Sequence, residues 1–170
     1  MAKVEESGVL WSAVEQKGAS VEQGEGVGNM FLNTYNPKLD AKGRFFLPAK
    51  FRDELAEGLV ITMQQERCLA IYPRAVFERK AMEALQAPGT VARNRALQRM
   101  LAASASDETP DSQGRLTIPP KLREYASLDT ELAVVGAIDR VEVWDKAAWE
   151  DYSAEQEATF ADINEEIFPL

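Results

Sequence analysis

Histidine is absent from these 170 residues, and cysteine occurs once, as Cys68. The first absence removes the commonest general acid/base and the commonest metal ligand. The second leaves no partner for an intramolecular disulfide and too few thiolates for a zinc site. Phosphate-cradling loops are missing as well: there is no G-x-x-x-x-G-K-[ST], and no G-x-G-x-x-G lies between a strand and a helix. Gly24, Gly26 and Gly28 follow no apolar strand and are spaced like linker glycines. No nucleophile–base pair or metal cluster can be assembled from this inventory, so no enzyme activity, cofactor, metal or small-molecule substrate is expected. No apolar run approaches the roughly 20 residues needed to span a bilayer, and no cationic segment followed by an apolar one opens the chain. A reducing cytoplasm and no membrane contact are the matching expectations.

What is present is an ordinary globular composition, 45% hydrophobic, sufficient for one core or two small equivalent halves. The net charge of −9 is unevenly spread: −3 over residues 1–29, +1 over 30–144 and −7 over 145–170. The acidity is terminal, so a nucleic-acid partner remains open to the near-neutral middle, where local cationic clusters matter more than the total.

That middle says one thing twice. DAKGRFFLPAKFR at positions 40–52 returns as DSQGRLTIPPKLR at 111–123, matching Asp40 with Asp111, Gly43 with Gly114, Arg44 with Arg115, Pro48 with Pro119, Lys50 with Lys121 and Arg52 with Arg123. In each copy a short strand is expected to end at the aspartate and to turn through A-K-G or S-Q-G. An alternating strand, R-F-F-L or R-L-T-I, then returns beside it as a hairpin, with glycine supplying the left-handed turn position. The prolines stand at helix starts. Phe51 and Leu55, and Leu122 and Ala126, fall one turn apart on those short helices. Two strands follow in each copy, LVITMQQ and CLAIY, then LAVVGAI and VEVW. A second helix starts near Arg74 and near Lys146. Tyr72 and Phe77 align with Trp144 and Trp149 as core, and Cys68 reads as a small buried hydrophobe.

The chain accordingly divides into a flexible N-terminal extension (1–29), a first module (30–86), a connecting helix (87–106), a second module (107–153) and an acidic tail (154–170). The connecting helix has Pro88-Gly89 as punctuation, Thr90 as a cap and a broad apolar face of Ala92, Ala96, Leu97, Met100 and Leu101. Arg93, Arg95 and Arg99 on it form a basic run open to a DNA contact, but the favoured expectation is a salt link to the acidic C-terminal helices, within one chain or between subunits. In the tail, Phe160, Ile163 and Ile167 recur at helical spacing.

The two D-x-x-x-R motifs, DAKGR and DSQGR, each set in a strand–turn–strand–helix–strand–strand string, resemble those of the MraZ family of bacterial transcriptional regulators, from Met30 to about residue 155. MraZ proteins are similar to AbrB-type swapped-hairpin domains. The resemblance implies an α+β fold in which two tandem β-hairpin–helix–β-hairpin modules form a pseudo-symmetric double-split β-barrel with peripheral helices. It implies a homo-oligomeric ring, an octamer or larger, nucleoid-associated, regulating the cell-division and cell-wall operon by binding tandem repeats in double-stranded promoter DNA.

Cations on a stiff turn suit that task, because phosphates supply most of the affinity and base edges most of the specificity. Lys38, Lys42, Arg44, Lys50 and Arg52 face only Asp40 and Asp53 in the first copy. In the second, Thr109 and Gln113 replace two of the lysines and leave Arg115, Lys121 and Arg123. DNA contacts are therefore expected from Lys42, Arg44, Lys38, Lys50 and Arg52, with a smaller share from Arg115. Asp40, Gly43, Asp111 and Gly114 are expected to shape the turns. The competing reading is a ring-forming scaffold that binds proteins through its acidic surface without specific DNA binding.

Overall fold

The computed structural model describes residues 30–162. The expected flexible extension and the positions Ile163 and Ile167 lie outside the described residues. The first copy contributes β1 (Thr34–Tyr35), β2 (Arg44–Phe46), α1 (Ala49–Leu55), β3 (Leu59–Met63), β4 (Leu69–Pro73) and α2 (Arg74–Leu85). After α3 (Ala92–Ser104), the second contributes β5 (Ser106–Glu108), β6 (Arg115–Thr117), α4 (Pro120–Tyr125), β7 (Leu132–Gly136), β8 (Val141–Asp145) and α5 (Lys146–Ala161). The fold is α+β, with antiparallel sheets.

Pairing interlaces the two copies. A six-stranded sheet runs β1-β7-β8-β4-β3-β5 and does not close, and β2 pairs with β6 in a separate two-stranded ladder. The middle of the large sheet joins the copies through β4 and β8, with Leu69 opposite Val143 and Ile71 opposite Val141. Each outermost strand belongs to the copy whose hairpin it does not share: β1 lies on β7, and β5 lies on β3. The ladder sets Phe45 opposite Leu116, and Arg44 opposite Thr117.

This corrects the expected local hairpin. The turn forms, with Gly43 N–H donating to Asp40 O at 3.0 Å and Asp40 N–H to Arg44 O at 2.8 Å. The strand after it, however, pairs with its counterpart 71 positions away rather than with the segment before the turn. Side-chain burial explains the choice. Phe45, Leu47, Leu116 and Ile118 point inward from the ladder and are 0–1% exposed, so joining β2 to β6 closes one apolar layer from both copies.

Alternation divides the large sheet into two faces. Leu59, Ile61, Leu69, Ile71, Val141 and Val143 face the ladder, α1 and α4, where Phe51 and Leu122 fill the core at the expected helical spacing. The opposite face carries Tyr72 against Phe77 (ring centroids 6.2 Å apart) and Trp144 against Trp149 (5.3 Å), matched aromatic pairs that seat α2 and α5. Cys68 is fully buried there, its thiol pushed far above the ordinary range by burial. Glu142, on the same face, is hydrogen-bonded to Arg140 (3.0 Å) and Trp144 (3.1 Å).

One expectation about helices changes. Thr90 does not cap α3: Val91 is the N-cap residue, without a side-chain bond, and the Arg95 side chain satisfies Gly89 O and Thr90 O instead. α5 starts at Lys146 as expected and continues to Ala161. No described helix is long and apolar enough to cross a membrane.

Candidate nucleic-acid interface

Each D-x-x-x-R segment folds into the same small device. Asp40 Oδ1 accepts from the backbone N–H groups of Lys42 and Arg44, both at 2.9 Å, and Oδ2 accepts from Arg44 Nε at 2.8 Å. Asp111 repeats this with Gln113 N, Arg115 N and Arg115 Nε at 2.9, 2.9 and 2.7 Å. The backbone N–H of Arg44 or Arg115 is the leading reason each carboxyl lies below its ordinary value of 3.8; the arginine side chain adds to it. Asp, four residues before Arg, thus ties the turn shut and orients the guanidinium. The terminal nitrogens of Arg44 and Arg115 make no hydrogen bond among the described residues, so each arginine offers its outer edge.

The glycines are equally specific. Gly43 and Gly114 have φ of 75° and 77°, the left-handed region that favours residues without a Cβ. Each also receives an arginine from the opposite copy: a Cβ on Gly43 would lie 2.7 Å from Arg123 Cζ, and one on Gly114 2.7 Å from Arg52 Nε. Arg52 Nε also donates to Leu47 O at 2.9 Å. Arg52 is therefore engaged in joining the copies, a duty that its charge and position in the sequence did not reveal.

The ladder places the two turns at its opposite ends, with Leu47 N bonded to Gly114 O (3.0 Å) and Ile118 N to Gly43 O (2.9 Å). Between the turns, the outward face presents Arg44, Phe46, Arg115 and Thr117. Lys42 and Gln113 stand exposed at the tips, and Lys50 and Lys121 are exposed in the first turns of α1 and α4. Lys38 is exposed beside the large sheet, its backbone bridged to Glu131. The assembly is a short two-stranded ribbon edged by cations.

Phe46 is the residue that the reading by charge overlooked. It is 53% exposed although its neighbours Phe45 and Leu47 are buried. The alternation in R-F-F-L carried that signal, since residues two apart share a face.

Arg93, Arg95 and Arg99 do not bear out an intrachain link to the acidic C-terminal helix. No salt bridge joins α3 to α5 among the described residues. The apolar face expected on α3 is also largely uncovered, with Leu97 and Met100 54% and 55% exposed.

A double-copy, strand-interlaced α+β protein with an Asp–Arg clasp in each copy is a definite class, and sequence comparison gives it a family. The family described as "MraZ protein, putative antitoxin-like" matches residues 30–100 and again 101–169, one match to each copy. The chain belongs to the MraZ family. It is 62% identical over 139 residues to a protein of Cutibacterium acnes named transcriptional regulator MraZ, covering 82% of this chain and 98% of that one. Proteins of the same name from Salinispora arenicola and Thermobifida fusca are 56% and 54% identical over 140 residues, covering 82% of this chain and 99% and 98% of theirs.

Proposed function

We propose that this chain is a sequence-specific DNA-binding regulator of transcription, reading double-stranded promoter DNA with the outward face of the β2–β6 ribbon. The observation that carries the reading is the pair of Asp-clasped arginines on one exposed ribbon, flanked by turn-tip and helix-start cations. A two-stranded ribbon fits a major groove, where an arginine fork can pair with guanine and lysine can reach a base or a phosphate. The names of its relatives support regulation of transcription.

Lys42 and Arg44 carry the main contacts in this reading. The clasp geometry is the same in both copies, so the difference between them lies at the tips: Lys42 adds a cation where Gln113 has none. Lys50 contributes phosphate contact; Lys38 and Arg115 take smaller shares. Arg52 acts indirectly, by holding Gly114 and its turn in position.

The family resemblance extends the proposal to a nucleoid-associated cytoplasmic ring, each subunit a double-split barrel, engaging tandem repeats upstream of the cell-division and cell-wall operon. A single ribbon makes few contacts; several on one ring, spaced as the repeats are, would act at high effective concentration.

The test is fluorescence anisotropy on duplex from upstream of the chain's own gene, beside a scrambled duplex, across a salt series. Specific binding whose affinity falls with salt at about −0.9 in log–log slope per phosphate neutralised is expected. Lys42→Ala/Arg44→Ala should abolish it while leaving the assembly state of the protein intact. Equal binding to both duplexes, or to neither, would remove the regulator reading. A ring-forming scaffold would then take its place, a reading favoured by the uncovered apolar faces of α2 and α3.

A further inference from the structure

A largely apolar cleft of about 210 Å³ opens between α2 and α3, lined by Phe77, Ala81, Leu85 and Leu101 among others, and Leu85 is 63% exposed. Its volume falls below the roughly 300–1,000 Å³ that holds a drug-sized ligand and suits a large side chain. Gln98, its one polar side chain among the described residues, already donates to Ala84 O at 2.9 Å, so the lining offers little to orient a polar molecule. The surroundings are cationic. Arg99 lies one turn after Arg95 and one turn before Ala102 of the cleft wall, and it forms no salt bridge among the described residues. Together α2 and α3 hold six basic residues against Glu78 and Glu83.

The chain enters the fold beside this cleft. Phe31 exchanges backbone hydrogen bonds with Ile138 at 2.9 and 3.0 Å, and the next residue, Asp139, holds Lys80 of α2 at 2.8 Å. Lys80 directly precedes Ala81 of the cleft wall. Residues 1–29, ahead of this entry point, also precede the family match. They contain one dense apolar cluster, Val9-Leu10-Trp11 with Ala13 and Val14, and carry five glutamates against Lys3 and Lys17, a net −3. Residues 15–29 can span about 50 Å when extended, whereas the 12 residues of α2 rise only about 18 Å. The apolar cluster can therefore reach any part of the cleft.

We infer that residues 9–14 dock in the α2–α3 cleft of their own chain, with Trp11 as the apolar anchor and Glu15 beside Arg99. Charge complementarity and the point of entry select this occupant: an acidic segment with one apolar cluster, joined to the fold next to a cationic apolar cleft. Burying a large apolar side chain is worth roughly 1.5–3 kcal/mol, and a short linker holds its segment at about millimolar effective concentration. A modest contact is then enough to keep the cleft filled. Any other protein that uses this face must first displace the N-terminal segment. The inference goes beyond the DNA reading and does not depend on it.

Its test is oxidative cross-linking of the full chain carrying Ser12→Cys/Leu85→Cys, which leaves Leu10 and Trp11 in place. Cys68 is fully buried and does not compete. A disulfide within one chain is expected, seen as a one-chain species of altered mobility on a non-reducing gel that reverts with reductant. The control is Ser20→Cys/Leu85→Cys, whose leader cysteine is nearer the fold along the chain but outside the apolar cluster. If linker length alone governed the reaction, the control would link at least as fast; docking predicts that it links about tenfold more slowly. Adding Leu10→Ser/Trp11→Ser to the first variant should slow its link by about tenfold, and adding Arg99→Glu should slow it by a smaller factor. Leu85 and Arg99 are exposed, so circular dichroism should remain that of the wild type. A control that links as fast, or a rate unchanged by either added substitution, would overturn the inference. A two-chain species as the main product would overturn it as well, by placing the segment on another copy.

Discussion

Arg123 lies across Gly43, its guanidinium occupying the space a Cβ would need. The contact joins the turn of the first copy to a helix of the second, and Arg52 on Gly114 is its mirror. Gly43→Ala would meet two penalties, a left-handed φ and displacement of a guanidinium. A loss of about 1–3 kcal/mol of stability is expected, read by chemical denaturation. Gly114→Ala should cost a similar amount. Gly89, with open space around it and no positive φ, is the control, and Gly89→Ala should stay within roughly 0.5 kcal/mol of wild type.

The interlaced ladder predicts that one copy cannot be weakened alone. Phe45 and Leu116 face each other across β2 and β6 and are 1% and 0% exposed. Phe45→Ala should cost about 3–5 kcal/mol and Leu116→Ala about 2–5 kcal/mol, by loss of transfer energy and the cavity left behind. Because the two touch, the double variant should depart from additivity by 0.5 kcal/mol or more, on the order of contacting pairs. Additive losses would mean that the ladder does not couple the copies.

Much of this was legible in the sequence, and the illegible part has a common cause. Phe51 with Leu55, the glycine turns and the aromatic pairs follow from local periodicity and backbone sterics, which neighbouring residues specify. The partner of β2 does not: a turn signal points to the adjacent segment, and only the burial of Phe45 beside Leu116 brings the distant copy to it. Arg52 looks like any surface cation until the opposite turn is placed beneath it. On α3, the 3.6-residue spacing of Leu97 and Met100 marks an apolar face, but periodicity cannot say whether a chain covers that face itself.

Glu142 tests the polar contacts on the second face of the sheet. Its carboxylate accepts from Trp144 Nε1 and Arg140 Nε, at 3.1 and 3.0 Å. Glu142→Ala would leave the indole N–H without its partner in a largely apolar setting. A loss of roughly 1–3 kcal/mol is expected by denaturation. Glu142→Gln, which retains an acceptor, should lose less.

The clasps predict a pH dependence of definite sign. Hydrogen bonds from the Arg44 and Arg115 backbones, with their side chains, hold the Asp40 and Asp111 carboxyls below the ordinary value of 3.8. A lowered folded-state value means the stabilisation is present above 3.8 and is lost as pH falls through the folded value. Asp40→Asn/Asp111→Asn retains an acceptor for the backbone N–H groups but removes the charge. Its Tm should lie below wild type at neutral pH, and the gap should close as pH drops under 3.8. A gap that stays constant into acid would assign the loss to something other than the charged clasp.

Phe46 offers the sharpest check on how the ribbon would read DNA. It stands 53% exposed on the outward face, two residues along the same strand from Arg44 and opposite Arg115, where its counterpart in the second copy is Thr117. Neither side chain carries charge, but both can touch the C5-methyl of thymine in the major groove. Phe46→Ala should leave the fold intact, because the ring contributes little to the core. It should weaken binding to the promoter duplex by about 0.8 kcal/mol per methyl contact, roughly fourfold. Replacing thymine with uracil in the duplex should produce the same loss in wild type and none in Phe46→Ala, since the methyl and the ring are two halves of one contact. If uracil weakens both proteins equally, Phe46 is not the reader of that methyl, and the ribbon's specificity rests on Lys42 and Arg44 alone.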